Sequence, residues 1–524
     1  MRKSIIFLTI TLLCLTATAT LVNTVNVTVD AQTPPPWDGG FIANPPHILL
    51  DASFNPTMGP NGGFIGGVPF CHSGSLGTVL CYTPSFLKKA YDFPSGLTGA
   101  GQTIVIVDAY GSPTVQSDVN LYDTVMGLPP VTINKLCPPT WTNSPSDKCP
   151  SNDLANATQL GWAEEITLDV TMAHGLAPKA TIYLVLAKTD LDKDITAAEA
   201  AVVSQSRFMG SIMSQSFGEP DDLVGCVNFP TCTIFDTSIR AAQDAVYATA
   251  MNNHWTVLAS SGDSGANTAY TVRGTSELTP SWPATNPLVL AVGGTEGLPY
   301  GGQYGPPPGP GGVFKCAAGA TCNTGLLIIA GNTNGCQTAT RPGIPTGCTP
   351  RSYGGEQAWN EFNSFGVRTA TGGGVSSFYA RPSYQSALPS TFTTVPVGTI
   401  AATGRSTPDV AFNSAIHGGW LAYLGFLGVW GVFGGTSAAS PAWAAIIALL
   451  NQAKGSPVGF ANPAIYILAE GADYSSAFHD ITKGSNPIIL PPNHLFQGFP
   501  AGPGYDLTTG WGTPDVANFI ADFP

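Results

Sequence analysis

The fold class predicted by this sequence is α/β: a parallel sheet with helices on both faces, in one large domain. Two observations carry that expectation. Short, apolar, β-branched runs alternate with helical stretches between residues 103 and 295. Such alternation favours strand–helix–strand units over hairpins. Further on, residues 410–453 carry no formal charge, as expected of a strand and a helix at the centre of a large core. Seven glycines and Pro441 interrupt that stretch, which argues against a membrane span of about 20 apolar residues.

The strands are expected at TIVIVDAYG (103–111), ATIYLVLA (180–187), SIMSQSFG (211–218), TVLASSGDSG (256–265) and LVLAVGGT (288–295). Helices are expected around 163–173, 195–204 and 237–252, and again at 462–469. In this architecture sites form where loops leave the carboxyl ends of strands.

The chain opens with MRKSIIFLTITLLCLTATAT, a basic start followed by an apolar run and small residues. That reads as a secretory signal peptide within residues 1–31, cut after Ala19 or Ala31. Residues 32–80 are rich in Pro and Gly and read as an extension without regular structure. Residues 81–524 read as the one large folded domain. Within it, 296–370 breaks the rhythm and reads as a disulfide-tied surface insertion. Ten cysteines follow the leader as near neighbours: 71/81, 137/149, 226/232, 316/322 and 336/348. In an exported chain these suggest five local disulfides, and the absence of a CxxC pair offers no zinc site. NVT at 26 and NAT at 156 are glycosylation sequons.

Only 10% of the 524 residues are charged, with a net charge of −13. That excludes the basic patch nucleic acid requires and suits an acidic medium. A secreted, extracellular monomer is expected.

The chemistry centres on GGTSAASPAWAAIIALLNQ (434–452). Gly434 and Gly435 allow a sharp turn, after which Ser437 starts a helix. A serine there is either a helix cap or, with a base to take its proton, a nucleophile. One candidate base lies in GWAEEITLDVTMAHG. Glu165 and Asp169, four apart, share a helix face, and in a dry site two such carboxyls share a proton. Asp263, in ASSGDSGA at a strand's carboxyl end, is either an Asx turn or, when protonated, a donor to an oxyanion. A rival constellation is Asp108, His174 and Ser437, in the chain order Asp, His, Ser.

These motifs, GGTSAASP, EITLD and SSGDSGA, occur with LAPKATI, SQSFGE, AVGGT, GGGVSSF and RSTPDVAFN. Together the chain resembles the serine-carboxyl peptidases, the sedolisin family, over residues 82–522. The resemblance implies a subtilisin-like fold. It implies Ser437 as nucleophile, Glu165 as general base and acid, Asp169 as the residue orienting it, and Asp263 as the oxyanion acid. Segments 214–217 and 372–375 resemble the family's substrate-flanking backbone, and protein or peptide substrates are implied. One calcium ion is implied, held by the carboxylates of Asp480 and Asp506 and the carbonyls of Ile481, Gly502 and Gly504, an oxygen-only set that suits calcium. Two departures stand out: the stretch between leader and Tyr82 is too short for the family's long prodomain, and Ile166 occupies a position where many members carry tryptophan. An inactive, peptide-binding relative is the alternative from another class.

Overall fold

Strand Thr103–Ala109 (β1) shows how the sequence builds the sheet. Every residue after the first is buried, and its side chains alternate: Ile104 and Ile106 enter one core, Val105 and Val107 the other. A strand covered on both faces reads as a continuous apolar run because each side chain meets a helix layer.

The computed structural model describes residues 77–137, 149, 152–226, 235–268, 277–297, 355–361, 369–416, 418–490 and 494–524. It adds short strands at 48–52, 64–65, 68–73, 329–330 and 352–353. All of these fall in one compact unit, Pro34–Pro524. The signal peptide expected at 1–31 lies outside the described residues.

The main sheet has eight strands. After β1 come Ile133–Leu136 (β2), Thr181–Ala187 (β3), Ile212–Gln215 (β4), Thr256–Ser260 (β5) and Leu290–Gly297 (β6). Glu356–Ala358 (β7) and Val410–Asn413 (β8) complete it. The order is β7-β6-β5-β4-β1-β3-β2, with β8 also paired to β6. All pairings are parallel except β6 with β7. One face is covered by Ala157–Leu176 (α1) and Thr436–Lys454 (α4). The other is covered by Asp192–Val203 (α2) and Thr237–Asn252 (α3). α1 is buried nearly all round, from Gly161 to Leu176 with Glu164 excepted, so its acidic residues Glu165 and Asp169 have no access to water. Its N-cap is Asn156, whose side chain accepts from the Gln159 amide; the sequon asparagine therefore serves the helix start.

The structure departs from the sequence reading in two places. Part of the segment read as irregular extension is strand. Ile48–Ala52 pairs antiparallel with Val429–Gly434, and Gly77–Tyr82 pairs parallel with Gly419–Leu424, in a six-stranded second sheet. Strands of two to six residues separated by Gly and Pro are too short to show a period. Likewise the end of the 296–370 insertion is core: β7 extends the main sheet, and Trp359 and Glu361 are buried. The Cys137–Cys149 disulfide is present. Cys81 and Cys226 are also disulfide-bonded, whereas the pairs 316/322 and 336/348 lie outside the described residues. Among the described residues no helix is long and apolar enough to cross a membrane.

Candidate active site

The strand Val429–Gly434 runs straight into α4, and the two glycines between them are needed there. A Cβ on Gly434 would sit 2.7 Å from Ile416 Cγ1 and 2.9 Å from the Ser414 carbonyl oxygen. Gly435 has φ +117°, a conformation L side chains rarely adopt. The turn delivers Ser437 to the second position of α4, fully buried, where the helix amides favour negative charge. Its Oγ makes no hydrogen bond among the described residues.

Asp169 reaches this point from α1. Ser216, just past β4, has its Oγ 2.9 Å from Asp169 Oδ1 and 3.2 Å from the Ser437 carbonyl oxygen. One hydroxyl proton serves one acceptor at a time. If Asp169 carries a proton, it can donate to Ser216, and Ser216 to the Ser437 carbonyl, satisfying both contacts. Such a proton is expected. Burial first, then the charges of Glu165 and Asp108, push the Asp169 carboxyl well above the usual carboxylate range. Its side chain is also hydrogen-bonded to Glu165, one turn back along the helix.

Asp263 reaches the same point from the end of β5. It is half-buried. Its Oδ1 accepts from the Thr436 amide at 2.8 Å and the Thr436 hydroxyl at 2.7 Å, one residue before Ser437. The Gly262 amide in turn donates to Thr436 Oγ1 at 3.1 Å. The GGG segment lies against this loop: Ser261 Oγ donates to the Gly372 carbonyl at 2.9 Å, and a Cβ on Gly372 would collide with the Ser261 carbonyl. Ser216 thus links Asp169, and Glu165 through it, to the Ser437 main chain, while Asp263 binds the residue just before Ser437.

His174 is elsewhere. It lies five residues beyond Asp169, about 140° around the helix, and its Nε2 is 2.8 Å from Asp123 Oδ1 in the helix Val115–Met126. Asp108, the rival triad's acid, neighbours Asp169 instead. Sequence reading missed the bridging Ser216 and Thr436 hydroxyls, and it grouped Asp108 with His174 rather than with Asp169. All three lie within motifs it quoted, but a hydroxyl's partner across the sheet leaves no local signal.

In the C-terminal loops, both oxygens of Asp480 accept from the Gly504 amide at 3.1 Å. Asp506 Oδ2 accepts from the Gly502 amide at 3.0 Å, and its Oδ1 from the Thr508 and Thr509 amides at 2.8 Å. One short loop therefore joins the two carboxylates. Burial pushes the Asp506 carboxyl up to about 7 although these amides oppose it. Gly502 and Gly504 face open space, with nothing within 4 Å of an added Cβ. Among the described residues no group of three or more His, Cys, Asp or Glu side chains could by itself hold a metal ion, so a cation here would need backbone carbonyls alongside the two acids.

The sheet order, the serine at a buried helix start and the carboxyls around it define a subtilase-type site. The subtilase family model matches residues 154–465, a span holding Glu165, Asp169, Asp263 and Ser437. Kumamolisin from Bacillus sp. (strain MN-32) is 30% identical over 83% of this chain and 62% of its own length. Sedolisin from Pseudomonas sp. (strain 101) is 26% identical over 85% of this chain and 62% of its own. The solved structure of Pseudomonas sedolisin complexed with two molecules of pseudo-iodotyrostatin matches with TM-score 0.60 at 25% identity. That match covers 85% of this chain and 98% of that one. The chain belongs to the subtilase family, in its sedolisin branch. It spans about three fifths of the length of the curated relatives it matches.

Proposed function

We propose that this chain is a secreted, acid-active serine-carboxyl peptidase that hydrolyses peptide bonds in proteins. Ser437 Oγ attacks the scissile carbonyl, Glu165 takes its proton and returns it to the leaving amine, and Asp169 orients Glu165. Asp263, in its acid form, donates a hydrogen bond to the developing oxyanion. The observation that carries this reading is the shared position of the acids. Ser216 joins Asp169 to the Ser437 main chain on one side, and Asp263 grips Thr436 on the other. The His174–Asp123 pair supports carboxyl rather than imidazole chemistry. Segments 214–217 and 372–375 flank the serine and suit an extended peptide. The apolar leader and the Cys137–Cys149 disulfide support export to an oxidising compartment.

Rate is expected to peak in acid. Asp169's folded-state affinity for a proton is raised. The stability that proton contributes is therefore complete below the unfolded value, about 4. It is lost as pH rises through the raised one. Casein or haemoglobin digestion should be maximal at about pH 3–5, the range of ordinary carboxyls. A peak in neutral or alkaline buffer would exclude the carboxyl mechanism. Folded protein that cleaves nothing across the range would favour a peptide-binding relative.

The C-terminal loops fit one calcium ion. Asp480 and Asp506 would supply two carboxylate oxygens and Ile481, Gly502 and Gly504 their carbonyls. The ion would supply the charge that the buried Asp506 carboxylate needs and would fix the loops. Excess chelator is expected to lower the melting temperature, consistent with a loss of about 2.7 kcal/mol if the ion stands at a hundredfold its Kd. Asp506→Asn should abolish the chelator effect; a chelator effect persisting in that variant would place the ion elsewhere.

A further inference from the structure

The segments proposed to flank the substrate, 214–217 and 372–375, are each anchored at both ends. Close to the nucleophile, Ser216 Oγ meets Asp169 and the Ser437 carbonyl. There too the Gly372 amide donates to the Gly262 carbonyl at 2.6 Å, and the Gly372 carbonyl accepts from Ser261 Oγ at 2.9 Å. Away from the nucleophile both segments lead to one side chain, Asp221. It follows Ser216 closely in the chain and is fully buried. Its Oδ2 accepts from the hydroxyl of Ser376, the residue after Val375, at 2.7 Å. Its Oδ1 accepts from Arg240 Nη1 at 3.1 Å and from Thr285 Oγ1 at 2.8 Å.

The carboxylate stands on a stiff base. The chain beyond Ser216 enters the short strand Glu219–Pro220, which pairs antiparallel with Ser281–Trp282. The Asp221 amide donates to the Pro280 carbonyl at 2.9 Å. Gly218 permits this close approach, since a Cβ there would sit 2.2 Å from Ser281 Oγ. Arg240, from α3, also donates to the Asp221 carbonyl, and its guanidinium lies 3.9 Å from the centre of the Phe378 ring. On the other side, Ser376 Oγ accepts from the amides of Phe378 at 3.1 Å and Tyr379 at 2.8 Å. With its own proton given to Asp221, that hydroxyl is fully used.

We infer that Asp221 is a positioning residue that, through Ser376, sets the spacing of the two segments and so presents a preformed cleft to an extended peptide. Arg240 and Thr285 hold the carboxylate in place; the Ser376 bond is the one that joins the walls. Without that bond, the strand Gly374–Ala380 keeps its pairing with Gly404–Thr407 and its anchor at Gly372 but loses its tie to the 214–221 wall. An incoming peptide must then order the cleft itself, and affinity falls. Asp221 and Ser376 do not touch the reacting atoms, so the effect belongs to binding. The inference rests on the substrate-flanking roles proposed above.

The test opens the bond at Ser376, because removing Asp221 would strand the Arg240 charge. In Ser376→Ala the carboxylate keeps Arg240 and Thr285. Its KM for acid-denatured haemoglobin should rise about tenfold, the worth of one hydrogen bond, with kcat changed less than about twofold. Thr256→Val is the control. It removes a buried hydroxyl bonded to the Gly459 carbonyl at the start of β5, away from the cleft, and should leave KM in place. A second readout does not depend on turnover. In the Ser437→Ala chain, adding Ser376→Ala should weaken binding of fluorescein-labelled, acid-denatured haemoglobin about tenfold by anisotropy, and adding Thr256→Val should not. An unchanged KM, a fall in kcat alone, or an equal shift in Thr256→Val would overturn the positioning role. Wild-type protein that cuts nothing would instead overturn the peptidase reading, with the anisotropy comparison still deciding the role of Asp221.

Discussion

Ser437→Ala is expected to abolish peptide hydrolysis, on the order of a millionfold in kcat, the scale of removing a serine nucleophile. Glu165→Ala should cost at least about ten thousandfold, because without a base the hydroxyl attacks only through its rare alkoxide. His174→Ala is the discriminating control. Its ring is spent on Asp123 in the buried space between α1 and the helix Val115–Met126. Deleting it leaves a buried polar group without its partner, a loss of about 1–3 kcal/mol of stability. It should nonetheless leave turnover per folded molecule unchanged. The measurement is single-turnover hydrolysis of one peptide in acid at low temperature, normalised to the folded fraction by circular dichroism. If His174→Ala abolished turnover while Glu165→Ala spared it, the proton would be handled by imidazole.

The second large effect concerns stability. Asp409→Ala should lower the unfolding free energy by about 3–5 kcal/mol and the melting temperature by on the order of 10 °C. Asp409 and Arg405 are both fully buried. The guanidinium grips the carboxylate with two bonds, 2.7 Å to Oδ1 and 2.6 Å to Oδ2. The Ala291 amide and the Tyr466 hydroxyl add bonds at 2.8 Å each. The pair thereby joins β6, the entry to β8 and the helix Asn462–Glu470. Removing Asp409 strands a guanidinium that cannot shed its charge. Replacing both members together, as Arg405→Met with Asp409→Leu, should recover part of the loss, since the penalty belongs to the orphaned charge. Chemical denaturation of the three proteins provides the comparison. A loss under about 1 kcal/mol in Asp409→Ala would show the pair to be weakly coupled to folding.

Much of this was legible in the chain. The five long strands and α1 to α4 are continuous or periodic apolar segments, and their burial is a local property of composition and spacing. The turn at Gly434 and Gly435 was legible too, because close approach and positive φ both demand glycine. The ends of the elements were less so: α1 begins six residues earlier than its expected core, at a cap that only its backbone geometry reveals.

Sequence by itself therefore determined the layers of this protein, its uncharged centre and the handful of acids and one serine available for chemistry. Tertiary structure decided which of them meet. Ser216 touches Asp169 and Ser437 across 47 and 221 residues of chain, Thr436 meets Asp263 across 173, and His174 turns to Asp123 instead of Asp108. The strand at 48–52 likewise pairs with Val429–Gly434, and 77–82 with Gly419–Leu424 and with 68–73, partners far away or unmarked in the sequence. The reason is the same in each case. Propensity and periodicity act over a few residues, whereas a hydrogen bond between distant segments depends on which backbones the folded core brings within about 3 Å.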